Sequence, residues 1–145
     1  MFTHILLPTD GSDLSLRGVR MGIDLARTHG AKVTGLHVIP PFHTITYVAE
    51  MLAATELTYM ADAVDRAERY LAEVRQLAEA AGVPCDTEYE TSDHPDEIIA
   101  RTARLKQCDL VVMASHGWHG MTKLLLGSVT QKVLLTSTAP VLVCR

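Results

Sequence analysis

Two rhythms alternate along the chain. Short runs rich in β-branched and aliphatic residues recur at Thr3 to Pro8, Ala31 to Ile39, Pro84 to Glu90, Leu110 to Ala114 and Val141 to Cys144, and these read as strands. Between them the apolar positions fall three and four residues apart. Leu16, Val19, Ile23 and Ala26 define one helical face that stops at His29-Gly30, a helix-ending pair, while Asp10-Gly11-Ser12-Asp13 supplies the turn and cap that start it. A second stripe runs through positions 57, 60, 64, 67, 71, 74, 78 and 81 to Gly82, and a coiled-coil seam is the alternative to core packing for so regular a spacing. Ser92 to Glu97 carries a capping side chain, a first-turn proline and two acids, so a third helix starts there, with Ile98, Ile99, Thr102, Ala103 and Leu105 expected on its inner face. The last helix is expected from about Gly127 to Ser137, capped by Ser128. Pro40-Pro41 ends the second strand, and residues 40–55 carry no clear pattern.

Strand and helix alternate four times before a closing strand. That order calls for a single α/β domain over residues 1–145, an open Rossmann-like parallel five-stranded sheet with helices on both faces. Leu110 to Ala114 is apolar throughout, as a strand buried on both faces must be, whereas the third strand is the most polar and belongs at an edge. If the turn after the first strand and the loop after the fourth share a ligand, those strands are neighbours. The sheet order is then 3-2-1-4-5, with its switch point between strands 1 and 4.

The loop after the fourth strand carries the candidate chemistry. Ser115, His116, Gly117 and Gly120 let the backbone turn sharply and approach a ligand without a Cβ in the way. Gly127-Ser128 then opens a helix, whose free N–H groups suit an anion, most often phosphate. A turn glycine and a helix-start glycine in a purely structural connection would look alike. Ser115-His116-Gly117, nine residues, then Gly127-Ser128 resembles the nucleotide loop of the universal stress protein family, written G-x-x-G, nine residues, G-[S/T]. The resemblance extends to Ile5 through Ser12, to Leu36-His37-Val38-Ile39 and to Ala139 through Val143, so it spans the chain. One letter departs: Ala114 stands where the pattern has its first glycine.

The resemblance implies a stress-response binding and signalling module that holds ATP, ADP or AMP, with Mg or Mn accompanying the nucleotide. It implies base and ribose contacts at Pro8, Thr9, Asp10, Val38 and Met113. Phosphate contacts are implied at Ala114, Ser115, His116, Gly117, Gly127, Ser128 and Val129. Asp10 is also the candidate metal contact, through the bound nucleotide; its other role is turn formation in an Asp-Gly pair. Trp118 occupies a position where Arg is frequent in the family. A nucleotide-free homodimeric adaptor and a slow metal-dependent ATPase are the rival readings of the same fold. Val141 to Cys144 is a flat apolar edge with no proline or charge to block pairing, and homodimer formation through it is expected.

Composition narrows the partners. A chain of 145 residues with 48% apolar and 21% charged residues buries a core without disulfides or metal. The net charge of −4 gives no basic face for nucleic acid. No apolar run approaches the ~18 residues of a membrane span, and the N-terminus lacks a signal-peptide pattern, so a cytoplasmic protein is expected. Cys85, Cys108 and Cys144 fit no zinc or redox spacing and read as buried thiols. His116 and His119 form an H-x-x-H that lacks a third ligand nearby. Lys123 is the one Lys or Arg in the 114–128 loop, and no Walker lysine, nucleophile elbow or acid-base pair is present.

Overall fold

The first helix shows how local sequence sets the elements. In the computed structural model, which describes residues 1–43, 49–118 and 125–145 and their side chains apart from 49–54, this helix, α1, spans Asp13–His29. Ser12 caps it by accepting the Ser15 N–H, and Gly30 ends it with φ of 67°, a left-handed conformation that a side chain would strain. The other elements are β1 (His4–Pro8), β2 (Lys32–Ile39), α2 (Ala49–Ala80), β3 (Cys85–Thr91), α3 (Pro95–Leu105), β4 (Leu110–Ala114), α4 (Ser128–Thr136) and β5 (Val141–Cys144). His119, Gly120 and Lys123 lie outside the described residues.

All four strand pairings are parallel and the order is β3-β2-β1-β4-β5, as the pattern predicts. One face packs Ile5, Leu7, Val33 and Val112 against α1 and α2 through Val19, Ile23, Val74 and Ala78. The other packs Leu6, Leu36, Val111 and Met113 against α3 and α4 through Ile98, Ile99, Ala103 and Val133. Alternate residues of each strand serve opposite faces, and both layers exclude water.

Several sequence expectations need correction. Leu105 ends α3 at 70% exposure, because the helix turns its last position away from the sheet, and Leu57 is similarly exposed while the inner stripe of α2 is taken up by Ala63, Ala67, Leu71, Val74 and Ala78. Helix α2 also begins earlier than its stripe suggests, at Ala49. Ser128 is the first residue of α4 and leaves the cap position to Gly127, with no side-chain cap. His94 rather than Ser92 caps α3; the Ser92 hydroxyl accepts the His94 N–H just outside the helix. Cys108 and Cys144 are buried free thiols, but Cys85 is only half-buried on the edge strand β3. Among the described residues no helix is long and apolar enough to cross a membrane.

Candidate functional site

Because β1 and β4 are parallel neighbours, the turn after Pro8 and the loop after Ala114 leave the sheet on the same side. The turn is shaped from within. Asp10 Oδ1 accepts the Ser12 N–H at 3.0 Å, an Asx turn, and Gly11 takes φ of 79°. The Tyr70 ring of α2 packs so closely on Gly11 that an added Cβ would stand 2.3 Å from it. Thr9 extends the ladder by donating its N–H to Leu36, and its carbonyl accepts from His37 Nδ1 at 2.8 Å. The Thr9 hydroxyl meets the Ser15 hydroxyl at 2.9 Å and the Gly11 N–H at 3.1 Å.

The second loop folds over the end of β4. Ser115 N–H reaches Cys144 O and Gly127 N–H reaches Ser115 O, each at 2.7 Å, which brings the start of α4 back beside the strand. Thr130 Oγ1 donates to Ala114 O at 2.9 Å and locks that return. Gly117 sits against Asp10: a Cβ there would fall 2.0 Å from Oδ2. At Gly127 the added atom would meet His116 Cα at 3.1 Å. Glycine at 117 thus leaves the Asp10 carboxylate its place, and a side chain at 127 would press on His116 by a few tenths of an ångström.

These two loops, the end of β2 and the inner face of α2 enclose a cavity of about 540 Å³. Pro8, Thr9, Asp10, Val38, Met113, Ala114, His116, Gly117, Gly127, Ser128 and Val129, all singled out from the sequence, line it together. Ser115 does not. Its side chain is buried and pairs with His116 Nδ1 at 3.0 Å, so it acts through its backbone. Gly127 offers no side-chain cap, and the first-turn N–H groups of Ser128, Val129 and Thr130 have no carbonyl one turn back to bond. The helix start thus presents donors and a partial positive charge to the cavity.

Sequence reasoning missed the far wall. Tyr59, Ala63, Arg66 and Tyr70 of α2 line the cavity with His37 of β2 and Ser15 of α1. The spacing 59, 63, 66, 70 is one helical face, so the signal was there, but nothing in it says that this face meets a loop on another element. Arg66 is the one Lys or Arg among the described lining residues, and Asp10 the one carboxylate. Burial pushes the His37 imidazole below its usual range, and Arg66 adds to this. The bond to the Thr9 carbonyl and the Asp10 charge oppose it. Among the described residues no three His, Cys, Asp or Glu side chains cluster to hold a metal ion, so a divalent ion at this site would need ligand oxygens as well as Asp10.

A model of the universal stress protein family matches residues 1–145. A universal stress protein of Thermus aquaticus, from the 3′ region of a QAH/OAS sulfhydrylase gene, is 33% identical over 145 residues, covering 100% of both chains. The solved structure of the Methanocaldococcus jannaschii protein MJ0577 superposes with a TM-score of 0.83 at 26% identity, covering 99% of this chain and 96% of that one. A universal stress protein crystallised in complex with cAMP gives 0.73 at 26% identity, covering 99% and 97%. The chain belongs to the universal stress protein family.

Proposed function

We propose that the chain is a nucleotide-binding module of the stress response, holding ATP or a related adenine nucleotide in this cavity and signalling by its occupancy. The observation that carries the reading is one continuous cavity with two chemically different ends. At one end the glycines at 117 and 127 and the uncapped start of α4 suit phosphate oxygens. At the other, Pro8, Val38 and Met113 offer apolar surface to a base. The structural relative with cAMP bound supports a nucleotide in this fold. Mg or Mn would enter with the phosphates, and Asp10, whose carboxylate keeps lone pairs beyond its bonds to Ser12 and Trp118, would meet the ion. Any hydrolysis would be slow, since the described lining holds no base placed against a phosphate. The setting we propose is cytoplasmic, and the form a homodimer through β5 that engages further proteins.

The position of Asp10 favours a second reading. Its carboxylate lies against Gly117, inside the phosphate cradle, where it repels an anion unless a metal ion or hydroxyl intervenes. On that reading the chain is a nucleotide-free homodimeric adaptor. Mass spectrometry of small molecules released from protein purified without added nucleotide, followed by calorimetric titration with Mg-ATP and AMP, tests both. An adenine nucleotide released, or heat on titration, is expected; neither would leave the adaptor.

A further inference from the structure

Asp10 stands between two residues that other elements hold. Thr9, before it, donates its N–H to Leu36 at 2.9 Å and accepts at its carbonyl from His37 Nδ1 at 2.8 Å, both partners lying on β2. Gly11, after it, lies against the Tyr70 ring. An added Cβ would stand 2.3, 2.4 and 2.5 Å from three consecutive ring carbons, so the ring fills the place a side chain would take. The same ring meets the His37 imidazole edge-on, with centroids 5.2 Å apart and planes at 76°. Tyr70 comes from a fixed platform, because Ala67, Leu71 and Val74 beside it on α2 are no more than 1% exposed. Asp10 itself bonds elsewhere. Its Oδ1 accepts the Ser12 N–H, its Oδ2 the Trp118 N–H, and its carbonyl the Trp118 indole N–H. Among the described residues no hydrogen bond joins α2 to Asp10, so α2 acts on its direction through the residues that flank it.

We propose that Tyr70 is a positioning residue for Asp10 and, through it, for the glycine loop. Gly11 has φ of 79°, and a glycine leaves such a conformation as readily as it enters it. A ring laid against it blocks that escape, and the turn so held aims Asp10 Oδ2 at residues 117 and 118. His37 fixes the other flank through Thr9. Loss of the ring frees the turn, and the contact to Trp118 loosens with it. A Tyr70 that only filled the cavity wall would leave that contact untouched. Tyr70 and Trp118 form no ring pair among the described residues, so an effect of one on the other travels through the turn. A second consequence rests on the nucleotide reading of the cavity. There the Asp10 carboxylate meets the metal ion, so Tyr70 also sets the gain in ATP affinity that Mg brings.

Trp118 emission from the full chain reads the first consequence without any ligand. Tyr70→Leu keeps apolar volume but not the flat ring. Its native emission should shift to the red at least as far as that of Asp10→Ala, because the Asp10 carbonyl that holds the indole moves as well. Adding Asp10→Ala to Tyr70→Leu should shift it no further, since both changes act on one contact. Tyr70→Phe keeps the ring and should keep the wild-type emission. If circular dichroism shows that Tyr70→Leu does not fold, Tyr70→Met takes its place. A Tyr70→Leu that lowers the urea midpoint yet keeps the wild-type emission, or a double variant whose shift is the sum of the two, would overturn the assignment. Calorimetric titration with ATP, with and without Mg, reads the second consequence. The gain from Mg should be about tenfold larger in the wild type than in Tyr70→Leu. Equal gains would overturn the link to the metal contact. Absence of heat with every protein would remove the nucleotide reading, and the emission would still decide the positioning role.

Discussion

The indole N–H of Trp118 donates to the main-chain carbonyl of Asp10 at 2.7 Å, and the Trp118 backbone N–H donates to the Asp10 carboxylate at 3.1 Å, across 108 residues of sequence. Two loops that belong to different strands are thereby tied into one rim. Gly117 makes the approach possible, since any side chain there would strike the carboxylate. The site depends on this contact between loops as much as on either loop alone.

Trp118 is the single tryptophan of the chain, so its emission reports the tie directly. Asp10→Ala removes the carboxylate bonds, and the indole, already 62% exposed, should become more mobile and its emission shift to the red. The cost in stability should be small, about 1 kcal/mol. Fluorescence and urea unfolding of the two proteins check this; unchanged emission would mean that the loops hold their places independently.

Ala114 is the last residue of β4, lines the cavity, and does not have positive φ. Its methyl group therefore stands in ordinary strand geometry, and any cost of replacing the motif glycine falls on the ligand. Ala114→Gly should tighten Mg-ATP or AMP binding by roughly ten- to a hundredfold, the value of one recovered charge-assisted contact. Gly117→Val should abolish binding while the fold, followed by circular dichroism, persists. Equal affinity in wild type and Ala114→Gly would show that the methyl group points away from the ligand.

The open edge of β5 makes the oligomeric state testable. Bonds to β4 use the Pro140 and Cys144 carbonyls, so by the alternation of a strand the N–H groups of Val141 and Val143 point to the unpaired side. Leu142 on β5 and Leu134 and Leu135 on α4 are exposed. Val141→Pro would remove an outward donor without touching the ladder. Sedimentation should show a dimer for the wild type and a monomer for the variant; a monomeric wild type at tens of micromolar would count decisively against pairing through this edge.

Stability should fall on mild acidification. His4 bridges the Thr34 hydroxyl at 2.8 Å and the Lys106 carbonyl at 3.0 Å, and burial, reinforced by the charges of Lys32 and Lys106, pushes it below 6.5. His37 is lowered in the same direction by its own burial. A folded pKa below the unfolded value means that the unfolded chain binds protons first. The stabilisation is full above 6.5 and is lost as pH falls from there through the lowered folded values. Urea midpoints at about pH 7.5 and about pH 5.5 should differ in that sense, and His4→Asn should shrink the difference; a flat profile would place both imidazoles in contact with water.

Sequence by itself determined the elements and their order. Leu110 to Ala114 had to be a central strand because a polar side chain on either face would be buried without a partner. Ser12 and Gly30 marked the limits of α1 because capping and left-handed geometry act over a few residues. Eleven of the twelve ligand contacts that the family pattern implied line the cavity together. What the pattern could not decide was long-range and directional. Leu57 and Leu105 fit apolar stripes yet face solvent, since periodicity defines a face without saying how far the neighbouring element extends along it. Ser128 lost the cap position to Gly127 because the return bond from Gly127 N–H to the Ser115 carbonyl sets where the helix begins. His37, Arg66 and Tyr70 became cavity wall only because α2 crosses the end of β2. The hydrogen bond from Trp118 to Asp10 likewise joins positions that only the adjacency of β1 and β4 brings within reach. Local sequence encodes torsions and faces; which faces meet is decided by packing the whole sheet at once.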